Sequence, residues 1–394
     1  MDPEVPHNGG GAAPRGELAL ALTGGGARAA YQVGLLVWLA RRYPELEVPI
    51  LTGVSAGAVN AAHLASHAGT FREAVTELAR LWSDLSPEDV FRVDTRSLAG
   101  HFARWAARLT VGGLTRTPAV RGLVDTTPLR RLLEDVLCAE KGEIVGIADN
   151  LRRGRLKAVA VSTTSYGTGR SVAWAQGREI QGWARPNRLG VQTTLTVDHI
   201  MASAALPLFF PAVRIGDDWH GDGGIRLAAP LSPALHLGAG RIIAISTRYV
   251  GSRAEAEAPV TVGYPPPAQV LGVLMNAIFL DVIDQDALRL ERLNRLLQRL
   301  PEDRRDGLRI VDLLVLRPSR DLSRLARDYE PRLPRAFRVL TRALGTRQTL
   351  SPDALSLVMF QADYLRRLIE LGEADAEARA EEIDQFIRGE RESG

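Results

Sequence analysis

The chain reads as an α/β protein, with a mainly parallel central sheet, helices on both faces and a helical C-terminal extension. Three observations predict this. Short apolar runs with strand character, Leu18 to Leu22 and Val48 to Leu51, each lead into a segment with helical character. Each run ends in a glycine-bearing turn, Thr23-Gly24-Gly25-Gly26-Ala27-Arg28 and Gly53-Val54-Ser55-Ala56-Gly57, so two strand-turn-helix units stand in succession. Further apolar runs at Leu156–Ser162, Arg241–Thr247 and Leu308–Leu316 alternate with helical stretches. That is the pattern of a buried parallel sheet.

The second turn has the Gly-x-Ser-x-Gly form of a nucleophile elbow. Small residues, Gly53 and Gly57, flank a bend so sharp that the Ser55 hydroxyl projects at the carboxyl end of a strand. Ser55 is the candidate nucleophile. The first turn supplies backbone N–H groups at a helix N-terminus, where an oxyanion can sit, and Gly24, Gly25 and Gly26 let that backbone approach a ligand. The helix under Ser55 is expected over Ala58 to Ser66.

Next, Phe71 to Leu133 reads as helical, broken at Pro87, Gly112-Gly113 and Pro118. Within it Ser97 to Thr115 places Leu98, Phe102, Trp105 and Leu109 at helical spacing, with Arg104 and Arg108 between them. This describes a basic amphipathic cap touching lipid, and equally a surface helix packed on the body. Ser171 to Gln176 reads as a hairpin partner or neighbour of the Leu156 strand. Gly251 to Pro267 is expected as a solvated loop, Gln269 to Leu300 as one long helix, and Ser351 to Arg388 as one or two more.

Composition bounds the function. The chain has 394 residues, 45% of them hydrophobic, a formal charge of +3 and a pI near 9.2. A spread of arginines leans towards anionic surfaces such as phospholipid head groups and gives no sign of nucleic-acid binding. The single cysteine, Cys138, excludes an intrachain disulfide framework and suits a reducing compartment. It falls in an apolar helical run, so a packed side chain is expected. Residues 1–16 hold prolines, glycines and no apolar run, so a disordered segment that is no signal peptide is expected. No window supplies a spanning helix, so a cytoplasmic protein touching the inner membrane surface from the side is the expectation. Oligomeric state is left open.

A serine hydroxyl needs a positioned base. Of the seven histidines, His199, His220 and His236 follow Ser55 at triad-like distance, but none lies in a stretch built like a catalytic loop. The stretch His220-Gly221-Asp222-Gly223-Gly224 offers instead an aspartate on a tight turn, which a plain hairpin would also explain. Asp281, Asp284 and Asp286 have no nearby His or Cys and read as a solvated acidic face, so neither metal nor cofactor is expected. Gly24-x-Gly26-x-x-Ala29 loosely fits a dinucleotide fingerprint, but Leu51-Thr52-Gly53 provides no acid for a ribose.

In order, Gly24–Arg28, Gly53–Gly57 and Asp222–Gly224 resemble the three signature motifs of the patatin-like phospholipases. Val124-Asp125-Thr126-Thr127-Pro128-Leu129 and Ala202-Ser203-Ala204-Ala205-Leu206-Pro207 through Phe210-Pro211 resemble that family's secondary motifs. The likeness covers Leu18 to about Arg248 well and runs more loosely to Pro318. It implies a three-layer catalytic domain over 17–320, including a helical cap region at 71–133, followed by a helical extension over 321–394. It also implies a lipid or ester substrate and a Ser-Asp dyad. Ser55 would attack the ester carbonyl and Asp222 would take its proton. Gly25 and Gly26 would stabilise the oxyanion, Gly24 and Ala27 would shape the turn, and Arg28 would brace it. After Gly224 the family often continues with asparagines, whereas this chain has Ile225-Arg226-Leu227, a departure that bears on substrate preference. Leu206, Leu208, Phe209 and Phe210 suit an acyl chain and equally a core. Two alternatives stand beside this reading, a Ser-Asp-His esterase and a catalytically silent lipid-binding protein.

Overall fold

The computed structural model describes residues 16–92, 122–251, 267–279, 282–333 and 353–389. Ten strands make one sheet: β1 (Leu18–Leu22), β2 (Ile50–Val54), β3 (Ala158–Ser165), β4 (Ser171–Gly177), β5 (Trp183–Arg185), β6 (Arg188–Gln192), β7 (Val213–Ile215), β8 (Asp218–Asp222), β9 (Arg241–Ile245) and β10 (Asp312–Leu316). Their order is β10-β9-β1-β2-β3-β4-β6-β5, and β8 also pairs with β3 and with β7. From β10 to β3 every pairing is parallel, while β4 and β8 run antiparallel to β3. The sheet is therefore mainly parallel, as expected.

The period of two along β1 explains the layers. Leu18, Leu20 and Leu22 enter one apolar core with helices α1 (Ala30–Arg42), α2 (Ala56–Ser66) and α3 (Phe71–Asp84), whereas Ala19 and Ala21 enter a second core with Leu231, Ala234 and Leu237. Farther along come α4 (Thr127–Val136), α5 (Val145–Arg153), α6 (Val197–Ser203), α7 (Pro267–Phe279), α8 (Val282–Gln298), α9 (Leu322–Tyr329), α10 (Asp353–Leu357), α11 (Ala362–Ala378) and α12 (Ala380–Arg388). Ile283 and Leu290 of α8 complete the second core. Against α1 lies α11, the two backbones so close that a Cβ on Gly34 would sit 2.0 Å from the Ile369 carbonyl oxygen, and one on Gly372 would sit 2.2 Å from that of Tyr31.

Several expectations shift. The second strand begins at Ile50 and ends at Val54, so it delivers Ser55 directly, and the helix beneath starts at Ala56. Among the described residues, the stretch expected as one long helix holds helices over Pro267–Phe279 and Val282–Gln298, and the last stretch holds three. Cys138 is exposed: α4 stops at Val136, and Cys138 turns away with φ 46°. Asp284 accepts from both Arg248 and Arg317, and Asp286 accepts from the Leu231 N–H, so these two carboxylates hold elements together instead of facing water. Asp281, the residues expected to form a disordered N-terminus (1–15), most of the loop to Pro267 and the amphipathic segment Ser97–Thr115 lie outside the described residues.

Candidate active site

Both glycine-bearing turns leave the carboxyl ends of neighbouring parallel strands, with Leu22 in register with Gly53. Ser55 takes φ 56° and ψ −132°, a backbone conformation costly for a residue with a Cβ and held here by its surroundings. Its flanking glycines are required sterically. A Cβ on Gly53 would meet the Gly57 carbonyl oxygen at 2.4 Å, and one on Gly57 would meet that of Leu22 at 2.4 Å. The Ser55 N–H donates to Ser203 Oγ at 3.0 Å, and Ser203 Oγ donates onward to the Ser162 carbonyl at 2.7 Å. The elbow is thus tied to α6 and β3.

The first turn lies against Ser55: a Cβ on Gly24 would be 3.1 Å from Ser55 Cβ and 3.7 Å from Ser55 Oγ. Among the described residues, the N–H groups of Gly24, Gly25 and Gly26 donate to no protein acceptor. Gly25 and Gly26 adopt φ 153° and 54°, and Ala27 is buried at the start of the helical turn that follows. Two hydrogen-bonded supports hold this loop. Thr247 Oγ1 donates to the Gly24 carbonyl at 2.7 Å, and Gln32 Nε2 donates to that of Thr23 at 2.7 Å. Gln32 Oε1 accepts from Asn60 at 3.0 Å, and Asn60 Oδ1 accepts from the Trp82 indole N–H at 2.8 Å. A fully satisfied buried chain of this kind fixes one geometry. Nothing in the local sequence pattern marks Gln32 or Asn60 as its members. Arg28 spends its guanidinium on Ser323, Asp353 and Ser356, far from Ser55 in sequence.

Asp222 ends β8, whose partner is β3, and Gly223–Arg226 follows as a 3₁₀ turn. The glycines that suggested a hairpin loop serve a close approach instead, because a Cβ on Gly223 would lie 2.1 Å from the Ser162 carbonyl oxygen. The Asp222 N–H donates to the Ala205 carbonyl at 3.1 Å, so Ser203 and Ala205 bind one residue each from the two halves of the site. The carboxylate is wholly buried. Its Oδ1 accepts from the Gly224 N–H at 2.9 Å. Burial pushes its pKa up from 3.8 to about 7, against the downward pull of the Ser55 hydroxyl and the Gly224 N–H. Among the described residues its Oδ2 makes no hydrogen bond of regular geometry.

The histidines are engaged elsewhere. His199 pairs with Thr196 Oγ1 at 2.8 Å in a helix cap, with burial pulling its pKa down to about 4; His220 Nδ1 lies 3.1 Å from Thr163 Oγ1; and the His236 ring stacks on Trp183 at 4.6 Å. Ser55 opens instead on an apolar cavity of about 60 Å³ walled by Val59, Trp82, Leu133, Phe210, Leu357 and Phe360 among others. Leu206 also lines it, Phe209 packs behind, and Leu208 is exposed. Among the described residues no cluster of His, Cys, Asp or Glu could hold a metal ion, and no helix is long and apolar enough to cross a membrane.

A family model, "Patatin-like phospholipase", matches residues 20–235, more than half of the chain and the part that carries both turns and Asp222. The chain belongs to the patatin-like phospholipase family. Membership supports lipid hydrolase activity for this patatin-like protein. A search of curated proteins found no match. Among solved structures the chain is similar to VipD from Legionella pneumophila, at 12% identity, covering 97% of this chain and 78% of that one with a TM-score of 0.33. It is also similar to human GIVD cytosolic phospholipase A2, at 12% identity, 95% and 62% coverage and a TM-score of 0.44. A third is ExoU, in complex with SpcU, from Pseudomonas aeruginosa, at 14% identity, 96% and 78% coverage and a TM-score of 0.26. The chain spans less than two thirds of the human enzyme, and at these scores the likeness says nothing of substrate.

Proposed function

We propose that this patatin-like protein hydrolyses carboxylic esters of phospholipids or related lipids through Ser55 and Asp222. The observation that carries the reading is a serine on a strained elbow, next to a wholly buried carboxylate and a glycine turn whose N–H groups have no acceptor among the described residues. Asp222, with a pKa near 7, takes the Ser55 proton as Oγ adds to the ester carbonyl. The N–H groups of Gly25 and Gly26 receive the oxyanion, each donor contributing on the order of 10² to 10³ in rate. Collapse expels the alcohol, which takes the proton from Asp222 and leaves the acyl group on Ser55. Water then adds with Asp222 again as base, releasing the fatty acid and restoring the serine. The apolar cavity beside Ser55 receives the acyl chain, and the lipid is met from one side of a membrane surface, in keeping with a cytoplasmic protein.

The test is labelling with a fluorophosphonate probe, together with hydrolysis of p-nitrophenyl esters and phospholipid vesicles. Wild type is expected to label and hydrolyse, and Ser55→Ala to do neither while keeping its fold by circular dichroism. A wild-type protein that binds vesicles but neither labels nor hydrolyses is the silent lipid-binding protein instead.

A further inference from the structure

Arg28 leaves the glycine turn with its side chain 3% exposed. A guanidinium keeps its charge at any working pH, so at such depth its donors must be matched. The matches come from the far end of the chain. Nε donates to Ser356 Oγ at 2.7 Å, and one terminal nitrogen donates to Ser323 Oγ at 2.8 Å and to the Asp353 carboxylate at 2.8 Å. Ser356 Oγ donates in turn to the Asp353 carbonyl at 2.7 Å, closing α10 around the cation.

The next residues reach the site itself. A Cβ on Gly26 would sit 2.1 Å from the Leu357 carbonyl oxygen, so backbone presses on backbone at the oxyanion turn. Leu357, Val358 and Phe360 then line the cavity that opens on Ser55. Tight turns stiffen this stretch, with Val358 N–H donating to Leu355 at 3.1 Å and Phe360 N–H to Val358 at 3.0 Å. Phe360 also meets the Phe91 ring edge-on at 6.2 Å.

Resting on the reading of Ser55 as an acyl-transfer nucleophile, we propose that Asp353–Phe360 is the selectivity wall of the acyl site and that the buried Arg28–Asp353 pair locks it to the oxyanion turn. Val358 sets how much acyl chain fits. Asp353 is a positioning residue: it acts on the Gly25 and Gly26 N–H groups through Arg28. A wall side chain works by volume, and each methylene it excludes from the apolar cavity forfeits about four-fold in kcat/KM.

The full-length chain is assayed on p-nitrophenyl esters from butyrate to laurate, with fluorophosphonate labelling in parallel. Val358→Phe is expected to lower the laurate-to-butyrate ratio of kcat/KM about fifteen-fold, equivalent to two methylenes, and Val358→Ala to raise it. Asp353→Asn is expected to lower kcat about ten-fold on every ester, with KM and the chain-length ratio held. Ser356→Ala, which keeps the ion pair and removes one acceptor, is expected to show the same split at smaller size, and it stands in if Asp353→Asn fails to fold. A ratio that stays put in both Val358 variants overturns the wall. Loss confined to KM, or no loss in any folded clamp variant, overturns the positioning role. Both outcomes are read on a wild type that labels; a wild type that does not label removes the nucleophile reading itself.

Discussion

Replacing Asp222 with asparagine is expected to stabilise the protein and to disable it. The carboxyl group has no exposure, and burial raises its pKa from 3.8 to about 7. A raised carboxyl pKa means that the folded state binds the proton more tightly than the unfolded one. Stability is therefore greatest with Asp222 protonated, falls as pH rises between about 4 and 7, and stays low above that. A shift of about three pKa units at 1.36 kcal/mol each comes to about 4 kcal/mol. Asparagine has the same shape, can keep the Gly224 N–H bond and does not titrate. The gap between variant and wild type should grow from under about 1 kcal/mol at pH 4 to about 4 kcal/mol at pH 8, measured from urea unfolding midpoints at several pH values. The same variant loses its base, and kcat should fall about 10³-fold. Wild-type kcat/KM should rise with pH to a plateau, standing at about a tenth of it at pH 6. A stability gap independent of pH, or an asparagine variant with more than a tenth of wild-type activity, would refute the reasoning.

Gly26→Ala puts a Cβ at φ 54° and against the Leu357 carbonyl oxygen. It should cost about 1 to 3 kcal/mol in a denaturant melt and abolish ester hydrolysis. Ser203→Ala leaves the Ser55 N–H and the Ser162 carbonyl short of a partner. Expected are a loss of about 1 to 3 kcal/mol and a fall in kcat larger than any change in KM. His199→Gln, His220→Gln and His236→Gln should each keep fluorophosphonate labelling and most of the wild-type kcat; loss in one of them, with activity kept in Asp222→Asn, would restore the histidine triad.

The parts of the fold legible in the sequence were those with a local physical signature. Leu18–Leu22 and the run before Ser55 were visible because a buried parallel strand is a short apolar run, and the glycines marked where backbone had to bend or touch. The three-residue strands β5 and β7 have no period long enough to read, and β8 hid because Asp-Gly-Gly describes a hairpin as well as a strand end. Cys138 was misplaced because an apolar run carries no information on where its helix stops. The supports of the site were illegible for another reason. Asn60 and Gln32 are ordinary polar residues whose roles arise only from partners elsewhere in the chain, and although Ser203 falls in a stretch that resembles a family motif, no spacing rule ties it to Ser55 across 148 positions.

The tie between Arg28 and Asp353 spans 325 positions, which orders events during synthesis. As the ribosome works from the amino end, both Ser55 and Asp222 are made well before the residues that neutralise the buried Arg28 cation beside the first glycine turn. A product that stopped short of position 353 would carry Ser55 and Asp222 and leave the Arg28 guanidinium without Asp353, Ser356 and the cover of α10. Premature termination or carboxyl-terminal clipping would therefore unbrace the glycine turn beside Ser55 without touching Ser55 or Asp222.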